Sequence, residues 1–166
     1  MRETLRQLPG QLHWLWLTGV VLVLDQWTKA LVLDVFQPYE TERLLPVLNL
    51  TLAFNTGAAF SFLAGGGGWQ RWFLAGLAIA VSIALVIWLA RAKASEKMLG
   101  AGLALVLGGA LGNLWDRLAY GHVVDFIDFH WNAWHFPAFN VADSAITVGA
   151  GLLILDMVLG AKRHDG

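Results

Sequence analysis

Nine polar residues of this 166-residue chain stand in otherwise apolar surroundings: Asp25, Lys29, Asn55, Asn113, Asp116, Arg117, Asp125, Asn140 and Asp143. Their types limit the chemistry. The chain has no cysteine, which excludes thiolate nucleophiles, thiolate metal sites and disulfides. Ser61 and Ser144 lack a GxSxG setting. There is no HExxH, and His122, His130 and His135 do not have the spacing of helical metal ligands. Carboxylate chemistry remains. Two carboxylates held together resist double ionisation and share a proton. The ionised member can then take a proton from water while the other protonates a carbonyl oxygen, which hydrolyses an amide without a covalent intermediate. Periodicity alone leaves open which two acids pair.

The elements that must position these residues follow from composition. Hydrophobic residues make up 57% of the chain and charged residues only 14%, against about 25% charged in an average soluble domain. The balance excludes a disordered chain, and a net charge of −1 gives no sign of nucleic-acid binding. Spans of about 20 mostly apolar residues cross a bilayer as helices. Four are predicted, at 12–33, 69–89, 98–114 and 141–160. The first is too long for a cleavable leader and is followed by no small-x-small site. The fold class is an all-α membrane protein: a four-helix transmembrane bundle with a small, partly β outer layer. No repeat or second domain is visible, so residues 1–166 read as one domain. Leu44–Phe54 and Val123–Trp131 read as extended pieces of that layer, and Gly65–Gly68 as a joint. The stretch Gln37–Leu45 reads as a surface segment that moves to admit a ligand. In the third span, Gly100, Ala104, Gly108 and Gly112 form a small-residue stripe suited to close helix packing. Trp14, Trp16, Trp69 and Trp72 lie at span ends, where indoles anchor in the interface.

Cations set the direction. Arg2, Arg6, Arg91, Lys93, Lys97, Lys162 and Arg163 lie on one side, and Arg43, Arg71 and Arg117 on the other. Both termini are therefore expected in the cytoplasm. At ~1.5 Å per residue, Asp25 lies ~20 Å from the inner edge, and all nine polar residues fall near the outer boundary. Asp156 is the exception, close in sequence to Lys162 and Arg163. A channel or carrier needs polar groups through the full depth, and a scaffold has little use for them. One-sided polarity suggests chemistry on something reaching the site from the membrane or the outer face.

Five blocks resemble the lipoprotein signal peptidases (signal peptidase II): Asp25-Gln-Trp-Thr-Lys29, Asn55-Thr-Gly-Ala-Ala-Phe-Ser-Phe62, Gly112-Asn-Leu-Trp-Asp-Arg117, Val123-Val-Asp-Phe126 and Phe139-Asn-Val-Ala-Asp-Ser-Ala-Ile146. Their order and four-span setting cover nearly the whole chain. The resemblance implies an aspartic endopeptidase of the bacterial inner membrane that cuts diacylglyceryl-modified prolipoproteins just before the lipidated cysteine. It implies Asp125 and Asp143 as the catalytic dyad, with no cofactor and no metal, and the cyclic peptide globomycin as an inhibitor. Asp25, Lys29, Asn55, Gly57, Gly109, Asn113, Arg117, Asn140 and Ala142 are taken as supporting the site. The expected partners are diacylated prolipoproteins and membrane lipid, with the protein expected to act as a monomer and its site to lie near the periplasmic face. Each residue also has a plainer reading. Asp143 can cap the fourth helix behind Asn140. Asp125 can be a solvated loop acid, with Asp128 as its rival. Asp25 and Lys29 can form an i, i+4 ion pair, and Arg117 can be an interfacial anchor.

Overall fold

The computed structural model describes residues 10–57 and 67–164, with side chains of the last helix described as far as 159. Four helices follow the four apolar runs: α1 Leu15–Val35, preceded by a short 3-10 turn at Gln11–Trp14, α2 Trp69–Arg91, α3 Lys97–Ala119 and α4 Val141–His164. Each contains a stretch long and apolar enough to cross a membrane. Helices α2, α3 and α4 outrun their predicted spans, while α1 begins three residues later and ends two later than expected. Helix α3 outruns its span most, because Asp116 and Arg117 continue it for another turn instead of ending it.

Helix α3 is the buried centre, and its glycines explain why. One face meets α1. A methyl group at Gly108 would come within 2.7 Å of Val21 Cβ, and one at Gly100 within 2.6 Å of the Trp14 indole. Between them Thr18 Oγ1 donates to Ala104 O at 2.9 Å. The stripe predicted from the sequence is this contact. The second face, with Gly102 and Gly109, meets α4 at Leu153, Ala142 and Ile146. Such close backbone approach replaces the hydrophobic drive that is missing between helices in lipid. Trp14 departs from its expected role as an anchor. It lies half-buried against Gly100 and donates to Gln11 Oε1 at 3.0 Å. Trp16, Trp69 and Trp72 are exposed as expected.

The connections between α1 and α2 and between α3 and α4 fall at one end of the bundle and form an antiparallel sheet in the order β1-β2-β3-β4. The strands are β1 Thr41–Leu45, β2 Leu48–Asn55, β3 Val123–Trp131 and β4 Trp134–His135. The predicted single strand Leu44–Phe54 is in fact a hairpin that reverses at Pro46-Val47, as Leu45 pairs with Leu48. The segment 37–45, expected as a mobile surface stretch, supplies the edge strand of this hairpin after a turn with Tyr39 at φ 65°. Of the four-glycine joint, Gly65 and Gly66 lie outside the described residues. Gly67 and Gly68 adopt φ 74° and 97°, the left-handed region that glycine enters without strain. Val32, Leu52, Val124 and Phe126 form a core between α1 and the sheet.

Candidate active site

Asp125 is placed by β3. Its strand neighbour is Ala53 on β2, and alternation along β3 turns Val124 and Phe126 into the core and Asp125 the other way. Two backbone contacts bring α4 to this strand: Phe126 N and Ile127 N both donate to Phe139 O, at 3.0 and 2.8 Å. The chain then turns into α4 at Asn140. Asn140 Oδ1 accepts from Asp143 N at 2.9 Å, and Asp143 Oδ2 accepts from Asn140 N at 3.3 Å, a reciprocal cap over the first turn. The capping reading of Asp143 is thus realised, and it does not compete with a role in the site, because the residue also lines a cavity.

That cavity has a volume of about 790 Å³ and is lined by both Asp125 and Asp143. Asn55, Asn113 and Arg117 also line it, with an apolar wall that includes Phe136, Phe139 and Ile146. Amides hold the two carboxylates. Asn55 Nδ2 donates to Asp125 Oδ2 at 3.2 Å, and Asn140 Nδ2 to Asp125 Oδ1 at 2.8 Å. Asn113 Nδ2 donates to Asp143 Oδ1 at 2.8 Å. Asn113 Oδ1 also accepts from Asn140 Nδ2 at 3.2 Å, so the amides serving the two acids are themselves linked. Burial, reinforced by the nearby Asp143 carboxylate, pushes the Asp125 carboxyl up to about 7, against the Asn55 and Asn140 hydrogen bonds and the Lys29 charge that pull it down. Burial also lowers the pKa of His122, against the pull of Asp116. Among the described residues, no group of three or more His, Asp or Glu side chains is arranged to hold a metal ion.

The remaining expected residues surround this pair. Arg117 reaches across the site rather than out to an interface: Nη2 donates to Gly57 O at 3.0 Å and Nη1 to Asn113 O at 3.2 Å. Gly57 N in turn donates to Asn55 Oδ1 at 3.0 Å, which fixes the Asn55 amide. Residues 58–62 of that block lie outside the described residues. Gly109 is needed because any Cβ there would strike the carbonyl of Ala142. Asp25 and Lys29 are not lining residues. They form the expected i, i+4 pair, at 2.7 Å, but buried beneath the cavity. Asp128, the rival to Asp125, lies three residues along the strand and does not line the cavity. It bonds Asn49 and His135 instead. Two further residues complete the surroundings: Asp116, named above among the nine polar residues but given no role in the site, and Gln26, not singled out at all. Asp116 is fully buried and pairs with Lys29 at 2.8 Å, and Gln26 Nε2 bridges Asp25 and Asp116 at 3.1 and 2.9 Å. Asp116 carried a signal, since it lies four residues after Gly112 and three after Asn113 on the same helix face. Gln26 carried none.

Residues 17–159 match the family described as signal peptidase (SPase) II. The chain is 59% identical over 158 residues to the lipoprotein signal peptidase of Pseudomonas aeruginosa, covering 94% of both chains. It is 56% identical over 148 residues to that of Photorhabdus laumondii, covering 89% of each. A solved structure described as a bacterial membrane enzyme, at 2.3 Å resolution, superposes with a TM-score of 0.83 at 31% identity, over 91% of this chain and 90% of the other.

Proposed function

The chain belongs to the signal peptidase II family, a family of multi-pass bacterial membrane peptidases, and from that premise we propose that it is an aspartic endopeptidase whose dyad is Asp125 and Asp143. The observation that carries the reading is one cavity, at the sheet end of the apolar helices, lined by two carboxylates that only amide donors hold. With the Asp125 carboxyl held up to about 7, such a pair retains one proton near neutral pH. The ionised member takes a proton from a water. The hydroxide equivalent adds to the scissile carbonyl carbon, and the protonated member gives its proton to the carbonyl oxygen. Collapse of the tetrahedral species returns a hydroxyl proton to the member that gave one and expels the amine, which picks up the proton taken from water. Arg117 and Asn55 line the cavity and offer donors for the substrate backbone.

The substrate is a diacylglyceryl-modified prolipoprotein, cut on the N-terminal side of the lipidated cysteine. The apolar wall of the cavity supports a substrate that keeps contact with the bilayer. We further propose that the chain acts as a single monomeric unit in the bacterial inner membrane, with both termini cytoplasmic and the sheet on the periplasmic side. The excess of Lys and Arg on the side away from the sheet supports this orientation.

The test is turnover of a diacylated prolipoprotein by Asp125→Asn and by Asp143→Asn. An amide can neither give nor take the proton, so each variant should lose at least about 10³-fold in kcat while remaining folded in a thermal melt. Near-normal turnover by either variant would remove that residue from the mechanism.

A further inference from the structure

Beneath the dyad, Lys29 Nζ is saturated by three acceptors: Asp25 Oδ2 at 2.7 Å, Asp116 Oδ2 at 2.8 Å and Asn113 Oδ1 at 3.2 Å. Asp25, Asp116 and Lys29 are at most 2% exposed. An i, i+4 pair whose only task is to support a helix does not need a second acid from another helix, and burying three charges is costly unless every one is used. The rest of the hydrogen bonding shows the use. Asp25 Oδ1 accepts from Ala142 N at 2.9 Å. Asp116 Oδ2 accepts from Val124 N at 3.0 Å. Ala142 immediately precedes Asp143, and Val124 immediately precedes Asp125. Each buried acid therefore grips the backbone one residue before one member of the pair that lines the cavity.

Lys29 also fixes the sense of the amides. An ammonium only donates, so the atom of Asn113 that faces it must be the oxygen, and the Asn113 amide nitrogen is left to face Asp143. The same oxygen accepts from Asn140 Nδ2, which keeps the Asn140 nitrogen on the Asp125 side. Both asparagines then present donors, never acceptors, to the two carboxylates.

We propose that Asp25, Lys29 and Asp116 form a buried positioning clamp: Asp116 holds the Val124 amide to place Asp125, Asp25 holds the Ala142 amide to place Asp143, and Lys29 ties the two grips together and orients Asn113 and Asn140. The clamp belongs to the function proposed above and deepens it. Asp116 and Gln26 thereby become positioning residues, neither of which touches the cavity. Charge-assisted bonds to backbone amides suit the task, because they fix the main chain itself, and errors near 1 Å in the placement of reacting groups cost about a hundredfold in rate.

Asp116→Asn and Asp25→Asn test the clamp in the full-length membrane protein, with the exposed Asp34→Asn as control. In both clamp variants kcat on a diacylated prolipoprotein should fall by about tenfold to a hundredfold, with KM within about threefold. Neutralising either acid also leaves less negative charge under the dyad, so the acid limb of the pH–rate profile should move to lower pH. Mere loss of folded protein would scale kcat and leave the limb where it was. In amide NMR, the Val124 signal should move in Asp116→Asn and the Ala142 signal in Asp25→Asn, each with the other nearly unmoved. If a variant does not fold, the wild-type spectrum decides: Val124 and Ala142 amide protons should be far downfield and slow to exchange, and ordinary shifts for both would overturn the clamp. Wild-type-like kcat and an unmoved acid limb in both variants, with Asp125→Asn inactive, would overturn the clamp alone. Retained turnover in Asp125→Asn and Asp143→Asn would overturn the proposed function instead.

Discussion

Two pairs of aspartates lie within one polar layer of this protein and are held in opposite ways. Asp25 and Asp116 share an ammonium at 2.7 and 2.8 Å, with further donors from Gln26 and from two backbone amides. Asp125 and Asp143 have side-chain amides and one backbone N–H as donors, and among the described residues neither is in an ion pair. Asp125 is as deeply buried as the first pair, at 3% exposure. The residue type is the same, and for Asp125 the burial nearly is too, while Asp143 is half-buried. The difference lies in whether a cation compensates the charge. A pair that shares a cation serves as structure. An uncompensated pair keeps a proton available. Placing Lys29 between Asp25 and Asp116, off the cavity, is what permits both roles a few side chains apart.

The largest effect on stability should come from removing the shared cation. Lys29→Met leaves two buried carboxylates facing each other with no counter-charge, a change that typically costs about 3–5 kcal/mol. Denaturant or thermal unfolding in lipid-like detergent should show that loss. Adding Asp116→Asn to Lys29→Met should recover part of it by removing one of the two stranded charges. A Lys29→Met variant as stable as wild type would erase the distinction between the pairs.

On the other pair, the equivalent neutralisation should stabilise. Asp125 has an ordinary value of 3.8 and is raised to about 7 in the folded protein. The folded state therefore binds the proton more tightly than the unfolded state. Stability from this group is greatest at low pH and is lost as pH rises from about 4 through about 7. Asp125→Asn has no such dependence. It should melt higher than wild type at pH 8, with the gap closing below pH 5. At ~1.4 kcal/mol per unit the shift caps the gain near ~4 kcal/mol. Disturbed hydrogen bonding with Asn55 and Asn140 should bring it to roughly 1–2 kcal/mol. Stability lost together with activity would mean that the Asp125 carboxylate is compensated after all.

The sequence made the first half of this comparison partly legible and the second half more so. The four helices were visible because apolar runs of about 20 residues have few other uses. Their ends were not, since helical hydrogen bonding continues through Asn113, Asp116 and Arg117 once these side chains have partners inside the protein. Asp125 and Asp143 stood out through the resemblance of their blocks. The Asp25–Lys29 pair stood out through its i, i+4 spacing. What spacing could not reveal is contact between distant segments. Asp25 meets Ala142 across 117 residues, and Gln26 meets Asp116 across 90. No local period encodes these bonds, so an ordinary helix pair was the natural reading of what is a junction of α1, α3, β3 and α4. The hairpin was missed for a related reason. Pro46-Val47 interrupts a run of β-formers without any glycine, and pairing of Thr41–Leu45 with β2 was needed to reveal the turn.

The smallest expected effect concerns a third kind of buried aspartate, which sharpens the contrast by belonging to neither pair. Asp128 is 8% exposed and lies on the same strand as Asp125. Its partners are Asn49 Nδ2 at 2.8 Å and His135 Nδ1 at 2.9 Å. His135 is 53% exposed, so water screens the contact and it contributes at most about 1 kcal/mol. Alternation over three residues turns Asp128 away from the cavity, with Val124 and Phe126 rather than with Asp125. Asp128→Asn can keep the Asn49 bond through its own amide oxygen. It should lose at most about 1 kcal/mol in a thermal melt, with kcat and KM for a diacylated prolipoprotein within about twofold of wild type. The substitution matches Asp125→Asn in chemistry and strand, so it separates the face of the strand from the presence of a buried acid. A kcat loss approaching that of Asp125→Asn would show that β3 presents both aspartates to the reaction, and the amide-held pair would no longer be the unit that acts.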